Sequence, residues 1–163
     1  MKLNLGCGMM TWKGYVNCDF YPSAYGSTPD VGCDVRHLPF SNETADAIVS
    51  IHTWEHFSRR EVDTIVEEWK RVLKRGGMLA LEMPCLDKIL KNFTTYPDKP
   101  YMHIFGLYGD VLSNDHPALE HKWCWSEGEL VSFLVQHGFS DVRTETPQTH
   151  VPERDFRITA RKP

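Results

Sequence analysis

Five short apolar runs occupy the first 85 residues, and four of them close on a glycine, an acid or a proline. Leu3-Asn4-Leu5 stops at Gly6-Cys7-Gly8, Tyr15–Cys18 at Asp19, Val31-Gly32-Cys33 at Asp34, and Met78–Met83 at Pro84. Ala45–Ile51 is the fifth run. Runs of this length separated by helical crossovers predict strands of a parallel sheet in an α/β fold. The helix between the last two runs has the plainest local signature. Ser58-Arg59-Arg60-Glu61 fits a capping box, and Val62, Ile65, Val66, Trp69, Val72 and Leu73 make one helical stripe. Lys70, Arg71, Lys74 and Arg75 suit the negative end of its dipole, and Gly76-Gly77 predicts its stop.

The second half is sparser. Ser126-Glu127-Gly128-Glu129 repeats the capping pattern and opens a helix through Leu130, Val131, Leu134 and Val135 to Gly138. Asp141–Thr146 and Asp155–Ala160 read as two late strands, joined without a long crossover and so antiparallel. Tyr96–Trp125, rich in proline, aromatics and histidine, shows no clear period. A stretch that long is expected to be an ordered lid or substrate loop, residues 96–125, on one domain covering 1–163.

Composition narrows the function classes. With 163 residues, 41% hydrophobic and 25% charged, the chain can bury a core without staples. No apolar run approaches the ~18 residues of a membrane span, and the first glycine comes too early for an export signal. The net charge of −4 lacks the basic excess of a nucleic-acid binder. Cys7, Cys18, Cys33, Cys85 and Cys124 are odd in number and scattered. They predict reduced thiols in the cytoplasm and no metal centre.

The chemistry starts at Gly6-Cys7-Gly8, where glycines after a strand let backbone approach a ligand. Asp19 and Asp34 end the next two strands, so two carboxylates stand at successive strand tips, which suits a nucleoside. A dinucleotide fingerprint needs a third glycine where Thr11 stands, and an acid ~20 residues on. Asp19 follows Gly6 by only 13 positions. A nicotinamide-dependent oxidoreductase is therefore disfavoured, and no Gly-Lys-Ser/Thr phosphate loop is present. A nucleoside without phosphates, S-adenosylmethionine, fits better.

At this point the sequence resembles the class I S-adenosylmethionine-dependent methyltransferases, in particular the small bacterial type called methyltransferase type 11-like. The resemblance rests on Lys2-Leu3-Asn4-Leu5-Gly6-Cys7-Gly8, Gly14–Asp19, Cys33–Phe40, Glu55-His56-Phe57 and Glu68–Gly77, in order, with Leu107-Tyr108-Gly109 and His121-Lys122 later. It implies a Rossmann-like, seven-stranded, mostly parallel sheet of order 3-2-1-4-5-7-6. It also implies that Asn4, Leu5, Gly6, Cys7 and Gly8 lie against the methionine part of the cofactor, and that Asp19 binds the ribose. Asp34 and Val35 would hold the adenine, and the segment Ser50–His56, with Ser50 and His52, the sulfonium side.

The chain departs from that family in its first helices, which have too few residues. Met9–Gly14 leaves room for about one turn, and Phe20–Asp30 little more. Candidates for a catalytic base are His52, Glu55, His56 and His121; His52 and His56 are four apart and would share a helical face. Trp123, Trp125, Tyr101 and Phe105 are candidate pocket walls. The expected activity is methyl transfer to a small molecule or glycan, leaving S-adenosylhomocysteine, with a homodimer as a candidate assembly. The competing expectation is a catalytically inactive cofactor-binding module that regulates a partner. An apolar patch on the thin sheet face would favour the module; a cavity beside Gly8 and His56 would favour the enzyme.

Overall fold

The computed structural model describes residues 1–20, 28–110 and 116–163. Among them seven strands form one sheet: β1 (Lys2–Leu5), β2 (Val16–Asp19), β3 (Val31–Gly32), β4 (Ala45–Ile51), β5 (Leu73–Pro84), β6 (Ser140–Glu145) and β7 (Asp155–Arg161). Their order is β3-β2-β1-β4-β5-β7-β6, as the resemblance implied. The first five pair in parallel, and β7 runs antiparallel to both β5 and β6.

One face of the sheet carries the main core. Helix α1 (Glu61–Val72) lays its predicted stripe on it, with Val62, Ile65, Val66, Trp69 and Val72 buried. A later helix, Glu127–Gln136, adds Leu130, Phe133 and Leu134. Leu3, Leu5, Ile48, Leu79, Leu81, Phe156 and Ile158 answer from the strands. Each such fully buried side chain contributes about 1.5–3 kcal/mol. Trp69 also donates from Nε1 to the Val35 carbonyl at 2.8 Å, which ties the turn after β3 to the helix.

Both capping patterns work by one arm only. At α1 the Glu61 carboxylate accepts from the Ser58 amide and hydroxyl, at 2.9 and 2.8 Å. At the later helix Ser126 Oγ accepts from the Glu129 amide at 3.2 Å, while Glu129 turns to Arg59. The predicted end of α1 is corrected. The helix stops at Val72, because Leu73 is extended and fully buried as the first residue of β5. Gly76-Gly77 lies inside β5, where Ala45 pairs with Leu73 but Ala47 with Met78, so the pair forms a bulge rather than a helix stop. Lys70 reaches the His137 carbonyl and Arg71 the Phe40 and Leu38 carbonyls, so part of the basic cluster binds loops.

A helix that the sequence reading passed over, α2 (Leu86–Thr95), follows β5. Its apolar Leu86, Ile89, Leu90 and Phe93 do have helical spacing. The 96–125 stretch then holds a short helix α3 (Ile104–Tyr108) and two 3₁₀ turns, Pro100–Met102 and Pro117–Leu119, before α4 (Glu127–Gln136). Between β1 and β2 there are hydrogen-bonded turns where about one helical turn was expected. The expectation of a shortened second helix falls largely on residues 21–27, outside the described residues.

Among the described residues, the second sheet face is thinly covered. Trp12 and Tyr15 pack over Val49, Ile51 and Ala80, and a buried ion pair lies beyond them. Glu82 of β5 meets Arg157 of β7 at 3.2 Å and accepts the amides of Gln148, Thr149 and His150 at 2.9, 2.9 and 3.0 Å. Burial pushes the Glu82 pKa up, but the His150 ring, these amides and Arg157 outweigh it and pull the pKa from 4.5 to about 2. Among the described residues no helix is long and apolar enough to cross a membrane.

Two measurements check this core. Trp69→Ala removes a fully buried indole and its bond to Val35, and urea unfolding should show a loss of about 3–5 kcal/mol. A depressed carboxylate pKa stabilises the fold above its ordinary value, and that stability fades as pH falls through the folded value. Glu82→Gln should therefore flatten the acid side of the stability profile, between roughly pH 5 and pH 2. An unchanged acid slope in the variant would remove Glu82 from that role.

Candidate cofactor and acceptor site

The site grows from the carboxyl ends of β1, β2 and β4. After Leu5 the chain turns through Gly6, at φ +67°, where a Cβ would overlap the Thr53 side chain. Glycine is thus needed twice, for the turn and for the close approach. The Gly6 and Cys7 amides both donate to the Cys18 carbonyl, at 2.9 and 3.1 Å, which hangs the loop on β2. Ser50 Oγ donates to the Leu5 carbonyl at 2.8 Å and so ties β4 to the same loop. Asn4, buried between strands, donates to the Met10 carbonyl at 2.7 Å and to Asn17 Oδ1 at 3.0 Å. Burial and the nearby Asp19 charge push the Cys7 thiol up to about 11.

A cavity of about 290 Å³ opens beside this loop. Of the residues expected at the cofactor, Gly6, Gly8, Asp19, Val35 and His52 line it. Asn4, Leu5, Cys7, Asp34 and Ser50 do not; their bonds position the lining residues. Asp19 accepts the Gly8 amide at 2.6 Å on one oxygen and the Phe20 amide at 2.7 Å on the other. The Asp34 carboxylate is taken by Arg36, at 3.0 Å from Nε and 2.8 Å from Nη2, and Arg36 reaches on to Glu61 at 3.1 Å.

Of the expected catalytic residues, His52 and His56 line the cavity. Glu55 and His121 stand next to them. His52 sits just past β4 at φ +51°, a conformation that costs a non-glycine residue about 1–2 kcal/mol. Its Nδ1 lies 3.0 Å from Glu55 Oε1 and its Nε2 3.2 Å from Asp155 Oδ2. Arg154 holds Asp155 in turn, at 2.6 and 2.8 Å. Burial opposes the His52 charge, but Glu55 and Asp155 more than offset it and raise the pKa to about 9. For Glu55 burial likewise opposes the charge, and His52 carries the pKa down to about 2. His56 and His121 meet edge to face at 4.9 Å; burial lowers the His121 pKa.

His121 arrives from 65 positions away because its neighbours are pinned to the 3₁₀ turn Trp54–His56. The Lys122 and Trp123 amides donate to the Glu55 carbonyl at 2.7 and 3.2 Å, and the His121 amide to the Tyr108 carbonyl at 3.2 Å. Thr53 also lines the cavity, within the Ser50–His56 segment expected there, whereas Phe20, Phe57, His116, Ala118 and Leu119 line it and were missed by the sequence reading. The last three belong to the 96–125 stretch, where the aromatics were the visible signal. Those aromatics do not line the cavity. Trp125 bridges to Cys85 and is fully buried against Trp54 and Phe133, whereas Tyr101 and Trp123 face solvent.

Residues 15–81 match the family model described as a methyltransferase domain. No curated protein matches the sequence. Among solved structures, a protein of Pyrococcus horikoshii aligns with a TM-score of 0.66 at 18% identity, over 99% of this chain and 81% of its own. A SAM-dependent methyltransferase of Methanosarcina mazei gives 0.65 at 19%, over 99% and 91%. Human N-acetylserotonin methyltransferase, solved in complex with SAM, gives 0.61 at 14%, over 99% and 47%. At these identities the likeness to solved structures is one of fold, and it agrees with the strand order. The methyltransferase-domain match runs from the second strand into the fifth, and over the whole chain the strand order is the one that these structures share, so the chain is similar to S-adenosylmethionine-dependent methyltransferases in this segment and in fold.

Proposed function

We propose that the protein binds S-adenosylmethionine in this cavity and methylates a small-molecule or glycan acceptor. The observation that carries the reading is the cavity itself, lined at one place by the glycine loop, Asp19 and His56. Its volume of about 290 Å³ is at the lower edge of the ~300–1,000 Å³ range of small-ligand sites. The residues present suit the cofactor. A carboxylate has about four lone-pair positions, and Asp19 spends two on loop amides, which leaves two for ribose hydroxyls. Gly6 and Gly8 face the methionine part, and Val35, with Asp34 beside it, the adenine.

S-adenosylmethionine supplies an already activated methyl group, open to in-line displacement. The protein's work is therefore to orient the acceptor and keep water out. His56 lines the cavity at the acceptor end, where it is placed to contact the acceptor. His52, held as a cation at neutral pH by Glu55 and Asp155, orients charge there, and His121 stands behind His56. The 96–125 stretch serves as the substrate loop of one unit spanning 1–163, with Ala118 and Leu119 at the cavity wall. All five cysteines are free, which suits a reducing cytoplasm. A cavity beside Gly8 and His56 is the feature that supports the enzyme over an inactive cofactor-binding module, which would instead offer a partner an apolar patch on the thin sheet face.

Thermal shift with S-adenosylmethionine, S-adenosylhomocysteine, NAD and ATP tests the cofactor. Ligand at 100 times its Kd adds about 2.7 kcal/mol, a rise of roughly 5–10 °C for this size. The rise should come with the two sulfur nucleosides alone. Asp19→Ala should weaken their binding by about 1–3 kcal/mol in calorimetry. Unchanged affinity in a folded variant takes Asp19 out of the site.

A further inference from the structure

Behind the acceptor end lies a buried carboxylate that the protein leaves incompletely satisfied. Glu55 is 1% exposed, and neither of its oxygens receives an aligned hydrogen bond. Its ion contact is with His52 on the Oε1 side, at 3.0 Å. A buried charge normally has its lone pairs filled, because the cost of leaving water is several kcal/mol. Two imidazoles share this space. His56 Nδ1 lies 3.1 Å from the Glu120 carbonyl, and His121 Nδ1 lies 2.9 Å from the Gly106 carbonyl. A carbonyl can only accept, so each Nδ1 carries the proton and each Nε2 keeps a lone pair. A backbone carbonyl on the far nitrogen is the usual way a protein fixes the tautomer of a metal-binding histidine. One ligand atom from each of Glu55, His56 and His121 lies within 4.8 Å of the others.

We propose that Glu55, His56 and His121 bind a divalent transition-metal ion, zinc foremost, through the carboxylate and the two Nε2 atoms. The sequence reading expected no metal, because no familiar spacing joins a Glu-His pair to a histidine 65 positions on. The backbone bonds between 121–123 and the Trp54–His56 turn supply what spacing could not. Two histidines and one carboxylate make the ligand set of zinc sites that keep a position open. His56 lines the cavity, so the open position faces it. Water fills that position in the free protein. Resting on the methyl-transfer reading, an acceptor oxygen takes it, which narrows the acceptors to molecules with a metal-binding hydroxyl.

A neighbouring cluster, His52, His150 and Asp155, has similar groups close together. There the carboxylate is already filled by Arg154 and His52, so a cation would have to displace a guanidinium. The ion belongs at Glu55.

The test uses the full chain, stripped with a chelator and titrated with Zn²⁺ in a calorimeter. One ion per chain is expected. His121→Ala should lose more affinity than the roughly 10–100-fold that removal of an outer-shell partner costs, while His150→Ala should bind zinc as the parent does. Because His121→Ala could misfold, the parent chain is also loaded with Co²⁺. An intense visible band of a four- or five-coordinate ion supports the site, and the pale spectrum of the hydrated ion overturns it. No stoichiometric zinc, or loss through His150→Ala but not through His121→Ala, likewise overturns it. Zinc uptake is read without S-adenosylmethionine. Failure to bind the nucleoside with zinc uptake intact sinks the cofactor reading alone, and the reverse result sinks the metal alone.

Discussion

The end of β4 closes onto the end of β1 at a point where no side chain could fit. Gly6 turns through a left-handed conformation against Thr53, while Ser50 and Thr53 both reach the Leu5 carbonyl, at 2.8 and 3.3 Å. Every other part of the site depends on that closure. It sets the glycine loop against β2, places Asp19 under the Gly8 amide and aims the residues after β4 into the cavity. A single Cβ at Gly6 would push the two strand ends apart.

Electrostatics then decides what those residues do. A line of buried charge runs from Glu55 through His52 and Asp155 to Arg154, each within 3.2 Å of the next. Such a line is costly to bury and is retained where its members are mutually satisfied. Here one end is satisfied twice over by Arg154, and the other end, at Glu55, is not. That asymmetry lies on the cavity side, where a ligand or an ion can complete it.

The sheet face away from α1 and α4 is built differently from the main core. Among the described residues, the turns between β1 and β2 cover it with Trp12 and Tyr15, and its far end carries Glu82, Arg157 and three loop amides. The cavity lies at the carboxyl edge of the sheet, which keeps it apart from this thin cover.

The strand pattern, the α1 stripe and the glycine turn were legible in the sequence, because each is a local consequence of side-chain period or backbone freedom. The strand order came with the family resemblance, and Gly6, Gly8, Asp19, Val35, His52 and His56, which line the cavity, could be singled out before the cavity was seen. The helix end at Val72 was not legible, since only the core could show that Leu73 is worth more as buried strand than as another turn of helix. The roles of Asn4, Ser50 and Asp34 were hidden for the same reason: their hydrogen-bond partners lie far away or compete locally. The sequence by itself determined a mostly parallel α/β sheet with a glycine loop after its first strand. Only the tertiary structure decided that Leu119 would wall the cavity and that His121 would meet His56 and Glu55, because those contacts rest on backbone bonds between segments some 65 residues apart.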